Sequence, residues 1–383
     1  MHIEPFNIAI AQDALDDLHS RLRRTRRLIA IDGQGWSEGV DPEFLDRLLD
    51  HWLNHFDWPT RQAQLNRLPQ YRATVGEQQI HFIHQPGTGP APMPLVLTHG
   101  WPGSFVEMEK LIPLLADPAS HGGEAKDAFH VVVPSLPGYT FSPAPLQKGI
   151  GPFEVAGLWA ELMTGLGYPR FGAQGGDLGA GVSSWLGRRS AERLTGIHLN
   201  YIPGSYRPPL GPDQPTVTAQ EQEFLDRSAH FAETQGAYAK VQGTKPQSLA
   251  VGLNDSPAGL AAWIVEKFQA WTDHDSNLEQ AIELDALLTN ISLYWFTGCI
   301  GSSFRPYVEG RARPLAFAAG ERVTVPMGVA LFPAELPMPP RSWVERSFNV
   351  QRWTSMPKGG HFAAMEQPQL LAEDIRAFFR PLR

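Results

Sequence analysis

Two kinds of hydrophobic pattern divide the chain. Up to about residue 90, apolar residues recur at helical spacing over 14–26 and 42–56, in a stretch rich in Trp, Leu and charge. Two strand-like runs follow, 71–75 and 79–85, and Gly76-Glu77 between them predicts a hairpin-like pair. From Pro94 short apolar runs alternate with longer helical stretches. Strands are expected at 95–98, 130–134, 170–174 and 196–201, and helices at 105–115, 153–166 and 179–188. The Val and Leu runs of the strands at 95–98 and 130–134 do not alternate with polar residues. Both strand faces are therefore buried, as in a parallel sheet between helical layers.

The alternation stops after Tyr201. Residues 203–320 read as loop plus helices, at 219–235, 257–270 and 278–298. Strands resume at 323–332 and 350–355, before a last helix at 366–379. A helical block inserted into a βαβ series predicts a cap over the sheet. The expected organisation is an N-terminal extension (1–90), an α/β core in two parts (91–202 and 321–383) and a mainly helical cap (203–320). No fixed-period repeat or low-complexity tract interrupts it.

Composition narrows the function. With 383 residues, 42% apolar and 19% charged, the balance is that of an ordinary globular protein. The net charge of -8 and the lack of a dense basic run argue against nucleic acid or an anionic membrane as partner. The one basic cluster, residues 21–27, follows an amphipathic stretch and reads as a solvated helix face, with a binding patch as the alternative. A single cysteine, Cys299, asks for no oxidising compartment. The N-terminus lacks a signal-peptide pattern, and no apolar run reaches spanning length. A soluble, cytoplasmic protein is the expectation, and a homodimer stays open.

Three loops carry candidate chemistry. Gly175-Gly176-Asp177-Leu178-Gly179 lies between an expected strand and an expected helix. Glycines two residues to either side of the acid fit a nucleophile elbow, a sharp turn that lifts one side chain above the sheet. An ordinary helix N-cap is the other reading of Asp177. His99-Gly100-Trp101-Pro102-Gly103-Ser104 follows the strand at 95–98. Hydrolases with such an elbow take one oxyanion-hole N–H from this loop and one from the residue after the nucleophile, here Trp101 and Leu178. A plain glycine turn is the alternative. Gly359-Gly360-His361-Phe362 lies between the last strand and the last helix, where such enzymes keep their general base. A base needs an orienting acid. No Asp occurs between Asp285 and Asp374, so this acid is a Glu. Glu335 lies just past the strand at 323–332 and is favoured over Glu345, which lies nearer the following segment.

Together with Leu136-Pro137-Gly138-Tyr139 and the segments 236–246 and 255–268, these motifs resemble the microsomal-type epoxide hydrolases over essentially the whole chain. The resemblance implies an α/β-hydrolase fold, with a mostly parallel central sheet, a helical cap and an N-terminal extension. It implies conversion of an epoxide to a vicinal diol by Asp177 as nucleophile, His361 as base and Glu335 as its orienting acid. The family's two epoxide-polarising tyrosines fall on Tyr238 and Tyr307. Tyr294 and Tyr201 could compete, and Tyr294 reads more like core. Epoxide and water are then the small-molecule partners, with no cofactor and no metal. Membrane-bound members carry an N-terminal anchor, and the expectation is that this chain differs from them in lacking one.

The nearest enzymatic alternative, a haloalkane dehalogenase, tends to have Trp beside the nucleophile where this chain has Leu178, and lacks the long extension and the paired cap tyrosines. A non-catalytic ligand-binding protein on the same fold is disfavoured by the presence of Asp177, His361 and Glu335 together. An esterase is disfavoured because the expected elbow carries Asp177 where a serine nucleophile would stand. Asp273-His274-Asp275 looks metal-like but reads as a solvated loop. Trp271, Phe296 and Phe304 are expected to line an apolar pocket for an aryl or alkyl epoxide, xenobiotic or biosynthetic.

Overall fold

Among the residues described in the computed structural model, which are 1–383 without 30, 32, 210, 212 and 213, nine strands form one sheet. They are β1 (Ile3–Pro5), β2 (Gln70–Val75), β3 (Gln78–Gln85), β4 (Met93–Thr98), β5 (Phe129–Pro134), β6 (Phe171–Gly175), β7 (Leu194–Leu199), β8 (Val323–Leu331) and β9 (Phe348–Ser355). Their order is β1-β2-β3-β5-β4-β6-β7-β8-β9. The pairings from β1 to β5 are antiparallel, and those from β5 through β4 to β9 are parallel. The sheet has the mostly parallel character of an α/β-hydrolase fold.

Burial explains the apolar runs. Leu95, Val96 and Leu97 of β4 and Val131, Val132 and Val133 of β5 have no solvent exposure. Removing each such side chain from water contributes about 1.5–3 kcal/mol. Helices cover both faces: α1 (Gln12–Arg23), α2 (Pro42–Asn54) and α3 (Trp58–Leu65) before β2, then α4 (Leu111–Ala116), α5 (Pro152–Gly165) and α6 (Asp177–Arg189) within the βαβ series. Between β7 and β8 come α7 (Ala219–Thr234), α8 (Ala237–Gln242), α9 (Pro246–Asp255), α10 (Pro257–Trp271), α11 (Leu284–Thr297), α12 (Ile300–Ser303) and α13 (Arg305–Ala312). The short α14 (Arg341–Val344) precedes β9, and α15 (Ala363–Glu366) and α16 (Pro368–Phe379) close the chain.

Several expected helices are broken. The one expected at 105–115 is a 3₁₀ turn, Phe105–Met108, followed by α4. Pro113 has no N–H to return to the Glu109 carbonyl, so an unbroken helix would leave that acceptor unpaired. The expected helix at 278–298 is a 3₁₀ turn, Leu278–Gln280, and then α11, which ends on Gly298 in the left-handed conformation. The final helix starts afresh at Pro368, a residue preorganised for the first helical position. α3 and α9 were not anticipated, being short and weakly periodic.

Candidate active site

β4 is the strand at which the connections reverse, with β5 on one side and β6 on the other. The loops leaving β4 and β6 part there and open a crevice at the C-terminal edge of the sheet, the usual place for a site in this architecture.

β6 enters α6 through Gly175, Gly176 and Asp177. Gly176 is the N-cap and Asp177 the first helical residue, so its side chain does not cap the helix. Asp177 has φ +46°, in the left-handed region, a conformation that costs about 1–3 kcal/mol in a non-glycine residue. The flanking glycines permit it. A Cβ on Gly175 would lie 2.3 Å from the Gly179 carbonyl, and one on Gly179 would lie 2.0 Å from the Thr98 oxygen.

The turn aims the carboxylate at the loop after β4, where the Trp101 N–H donates to Asp177 Oδ1 at 2.8 Å. Leu178 is the second residue of α6, so its N–H is among those without a partner inside the helix. His99 fixes the loop: its Nε2 accepts from the Leu136 N–H at 3.2 Å, which leaves Nδ1–H to donate to the Gly100 carbonyl at 3.0 Å. Burial lowers the ring's pKa to about 4, so His99 stays neutral in this role.

His361 lies between two carboxylates. Its Nδ1–H donates to Glu335 Oε1 at 2.6 Å, and Nε2 stands 3.6 Å from Asp177 Oδ2, an ion-pair separation too long for a hydrogen bond. Glu335 Oε1 also accepts the Leu336 N–H at 2.7 Å. Burial disfavours charge on the His361 ring, but Glu335 and Asp177 outweigh it and raise the pKa well above the ordinary value. Glu345, the alternative acid, instead pairs with Arg341 on the surface at 2.7 Å.

The His361 loop is held by residues that sequence patterns did not single out for this work. The His361 N–H donates to the Trp271 carbonyl at the end of α10, and the Gly359 N–H to Asp273 Oδ2. Glu366 accepts from the N–H groups of Asp273, Gly360 and Phe362, each at 2.9 Å. Burial pushes its pKa up to about 7 against those three donors. Asp273 thus anchors the loop, and no cluster able to hold a metal occurs among the described residues. A Glu at a helix start signals a cap; only the fold shows it reaching back to the histidine loop.

Tyr238 on α8 and Tyr307 on α13 converge above Trp101. Tyr238 stacks on the indole at 5.4 Å and Tyr307 meets it edge-on at 5.9 Å, with 5.9 Å between the two phenol rings. Burial raises both phenol pKa values, and Asp177 adds to the rise, so both hydroxyls stay protonated donors. Tyr294 is fully buried and gives its hydroxyl to the Gly103 carbonyl at 2.8 Å. Tyr201 lies edge-on to His361 at 5.7 Å. Trp271 and Phe304 flank Trp101 at 6.5 and 6.0 Å. Phe296 does not share that position. It packs on Trp58 of α3 at 4.9 Å, because its face of α11 turns toward the N-terminal helices.

The chain is similar to known epoxide hydrolases in sequence and in fold. The model for the epoxide hydrolase N terminus matches residues 3–108, and that for the α/β-hydrolase fold matches residues 93–241. A protein of Stigmatella aurantiaca is 44% identical over 385 residues, covering 100% of this chain and 86% of its own length. Epoxide hydrolase 1 of Oryctolagus cuniculus is 37% identical, covering 98% of this chain and 88% of that protein. The structure of Aspergillus niger epoxide hydrolase superposes with a TM-score of 0.86 at 32% identity, covering 100% of this chain and 97% of that one.

Proposed function

Because this chain belongs to the microsomal-type epoxide hydrolase family and is an epoxide hydrolase, we propose that it forms its vicinal diol through a covalent ester on Asp177. The observation that carries this reading is the line Trp101 N–H, Asp177 carboxylate, His361, Glu335, which runs under a pair of tyrosine rings.

An epoxide carbon is electrophilic, but its oxygen leaves poorly as an alkoxide unless it accepts hydrogen bonds. Tyr238 and Tyr307 donate to that oxygen while the Asp177 carboxylate attacks carbon from below. The C–O bond to the ring oxygen breaks, the oxygen takes a phenol proton, and a hydroxyalkyl ester remains. Esterification removes one of the two negative charges beside His361. The imidazole therefore holds its proton less tightly, and that proton makes good the one lent by the phenols.

His361 is now a neutral base, oriented by Glu335. It takes a proton from water as the water oxygen bonds to the ester carbonyl carbon. The Trp101 and Leu178 N–H groups hold the oxyanion. Donors of this kind are worth about 2.7–4 kcal/mol each. The bond to the diol oxygen then breaks, the second water proton goes to that oxygen, and the Asp177 carboxylate and protonated His361 return. The side chains and water supply every group that moves, so the reading calls for no cofactor.

The aromatic surround of the tyrosines suits an aryl or alkyl epoxide. A cytoplasmic setting is part of the same reading, since the lone Cys299 is buried and needs no oxidant. No helix among the described residues is long and apolar enough to cross a membrane.

The tyrosine roles are tested by rapid mixing with styrene oxide. Tyr238→Phe and Tyr307→Phe should each slow ester formation roughly 10- to 100-fold, the loss of one hydrogen bond to a developing charge. The double variant should nearly stop it, and breakdown of preformed ester should change less. Equal losses in both steps would reduce the tyrosines to packing.

A further inference from the structure

Glu107 has no part in the mechanism above, yet it stands against the same groups. It belongs to the 3₁₀ turn Phe105–Met108 that follows the Trp101 loop. Gly103 makes room for it, since a Cβ at that position would lie 1.4 Å from Glu107 Oε1.

Glu107 lines two small cavities. One, of about 20 Å³, is also bounded by Asp177, His361, Trp101, Gln174 and Asn200. That is room for one water, which needs at least about 10–15 Å³ and two to four polar partners. Gln174 supplies one of those partners, because its buried Oε1 has no hydrogen-bond partner while its Nε2 is spent on Asn200. The second cavity, of about 30 Å³, lies between Glu107 and the ion pair of Arg61 with Glu109, and exposed Lys110 stands at its rim. Tyr238 and Tyr307 line neither cavity.

We propose that Glu107 is the positioning residue for the hydrolytic water: its carboxyl joins a one-water cavity at Asp177 and His361 to a second cavity at the surface, holding the attacking water and admitting its replacement from a side separate from the tyrosines. The proposal rests on the ester reading, because only a second, hydrolytic step needs a water held against Asp177. In that step the Glu107 carboxyl fixes the water oxygen toward the ester carbonyl. One water proton passes to His361 and the other leaves with the diol, so Glu107 ends in the protonation state in which it began.

The charge state fits. Burial pushes the carboxyl up to about 8, with Asp177 adding to the rise and the His361 ring and Gly100 N–H opposing it. At pH 7 it is a neutral acid that can both donate to and accept from water. Asp177 and His361 face it on one side and Arg61, Glu109 and Lys110 on the other. Once ionised, it would place a negative charge beside the developing oxyanion.

The test measures ester formation and ester breakdown separately in the whole enzyme with styrene oxide. Glu107→Leu keeps the volume without the hydrogen bonds. It should slow breakdown roughly 10- to 100-fold, the order expected when a reacting group is misplaced, and leave formation within about 3-fold. Glu107→Gln keeps a neutral donor and acceptor and should restore breakdown at pH 7. It should also remove the fall in breakdown rate expected in the wild type as pH rises through about 8. Wild-type breakdown in Glu107→Leu, equal losses in both steps, or an unchanged alkaline fall in Glu107→Gln would overturn the proposal. If the wild-type enzyme forms no ester at all, the mechanism itself fails, and the two failures are told apart.

Discussion

Asp177→Asn protein is expected to fold normally and to form diol at least ~10⁴-fold more slowly than the wild type, the scale seen when a member of a catalytic triad is lost. The amide has the carboxylate's shape, and its oxygen can still accept the Trp101 N–H that now lies 2.8 Å from Asp177 Oδ1. What it lacks is a negative oxygen able to bond to carbon. Without it the tyrosines can polarise an epoxide that nothing attacks. The elbow conformation is tolerated by Asn, which enters the left-handed region more readily than most residues, so thermal unfolding should change little. Circular dichroism and the initial rate on styrene oxide check both halves of the expectation. Mass spectrometry must show that no deamidated Asp has regenerated. Diol formation near the wild-type rate by such protein would remove Asp177 from the reaction.

His361→Gln should separate the two chemical steps. Ring opening uses Asp177 and the phenols, so an ester should still form, although without the neighbouring imidazolium it forms more slowly. Breakdown needs a base, and its loss should cost roughly 10²- to 10⁴-fold. The ester should then accumulate and appear as a mass gain of one substrate on the peptide bearing Asp177. A Gln amide can donate to Glu335 Oε1, now 2.6 Å from the ring nitrogen, so the buried acid keeps a partner. Absence of an adduct while diol formation is abolished would mean that His361 serves the first step instead.

Much of this site could be read along the chain, for identifiable reasons. Asp177 and His361 lie in short glycine-rich turns between elements of clear period, and a turn that tight admits few side chains. Glu335 followed because the chain offers no Asp between Asp285 and Asp374. Tyr238 and Tyr307 came from the family resemblance alone. They lie on short, weakly periodic helices, and only tertiary packing brings their rings within 5.9 Å of each other. Glu366, Asp273 and Glu107 escaped because their work is done across the fold. Glu366 reads as a helix start, Asp273 as a solvated loop residue and Glu107 as one position on a longer helix. The helix boundaries that moved did so mainly at prolines, such as Pro113 and Pro368, where a missing N–H outweighs the apolar period. Phe296 shows the opposite limit, since an aromatic residue on a helix does not reveal which neighbour its face meets.

The origin of the new diol oxygen tests the covalent account most directly. If Asp177 attacks carbon and water attacks the ester carbonyl, the added oxygen in the diol comes from the carboxylate and the water oxygen stays on Asp177. In a single turnover in ¹⁸O-water with enzyme in excess, the diol should be almost unlabelled and the peptide bearing Asp177 should gain one label. Over repeated turnovers the carboxylate oxygens exchange, and the label should then enter the diol. Fully labelled diol in the first turnover, with no label on Asp177, would show that water opens the epoxide directly and that Asp177 acts only as a base.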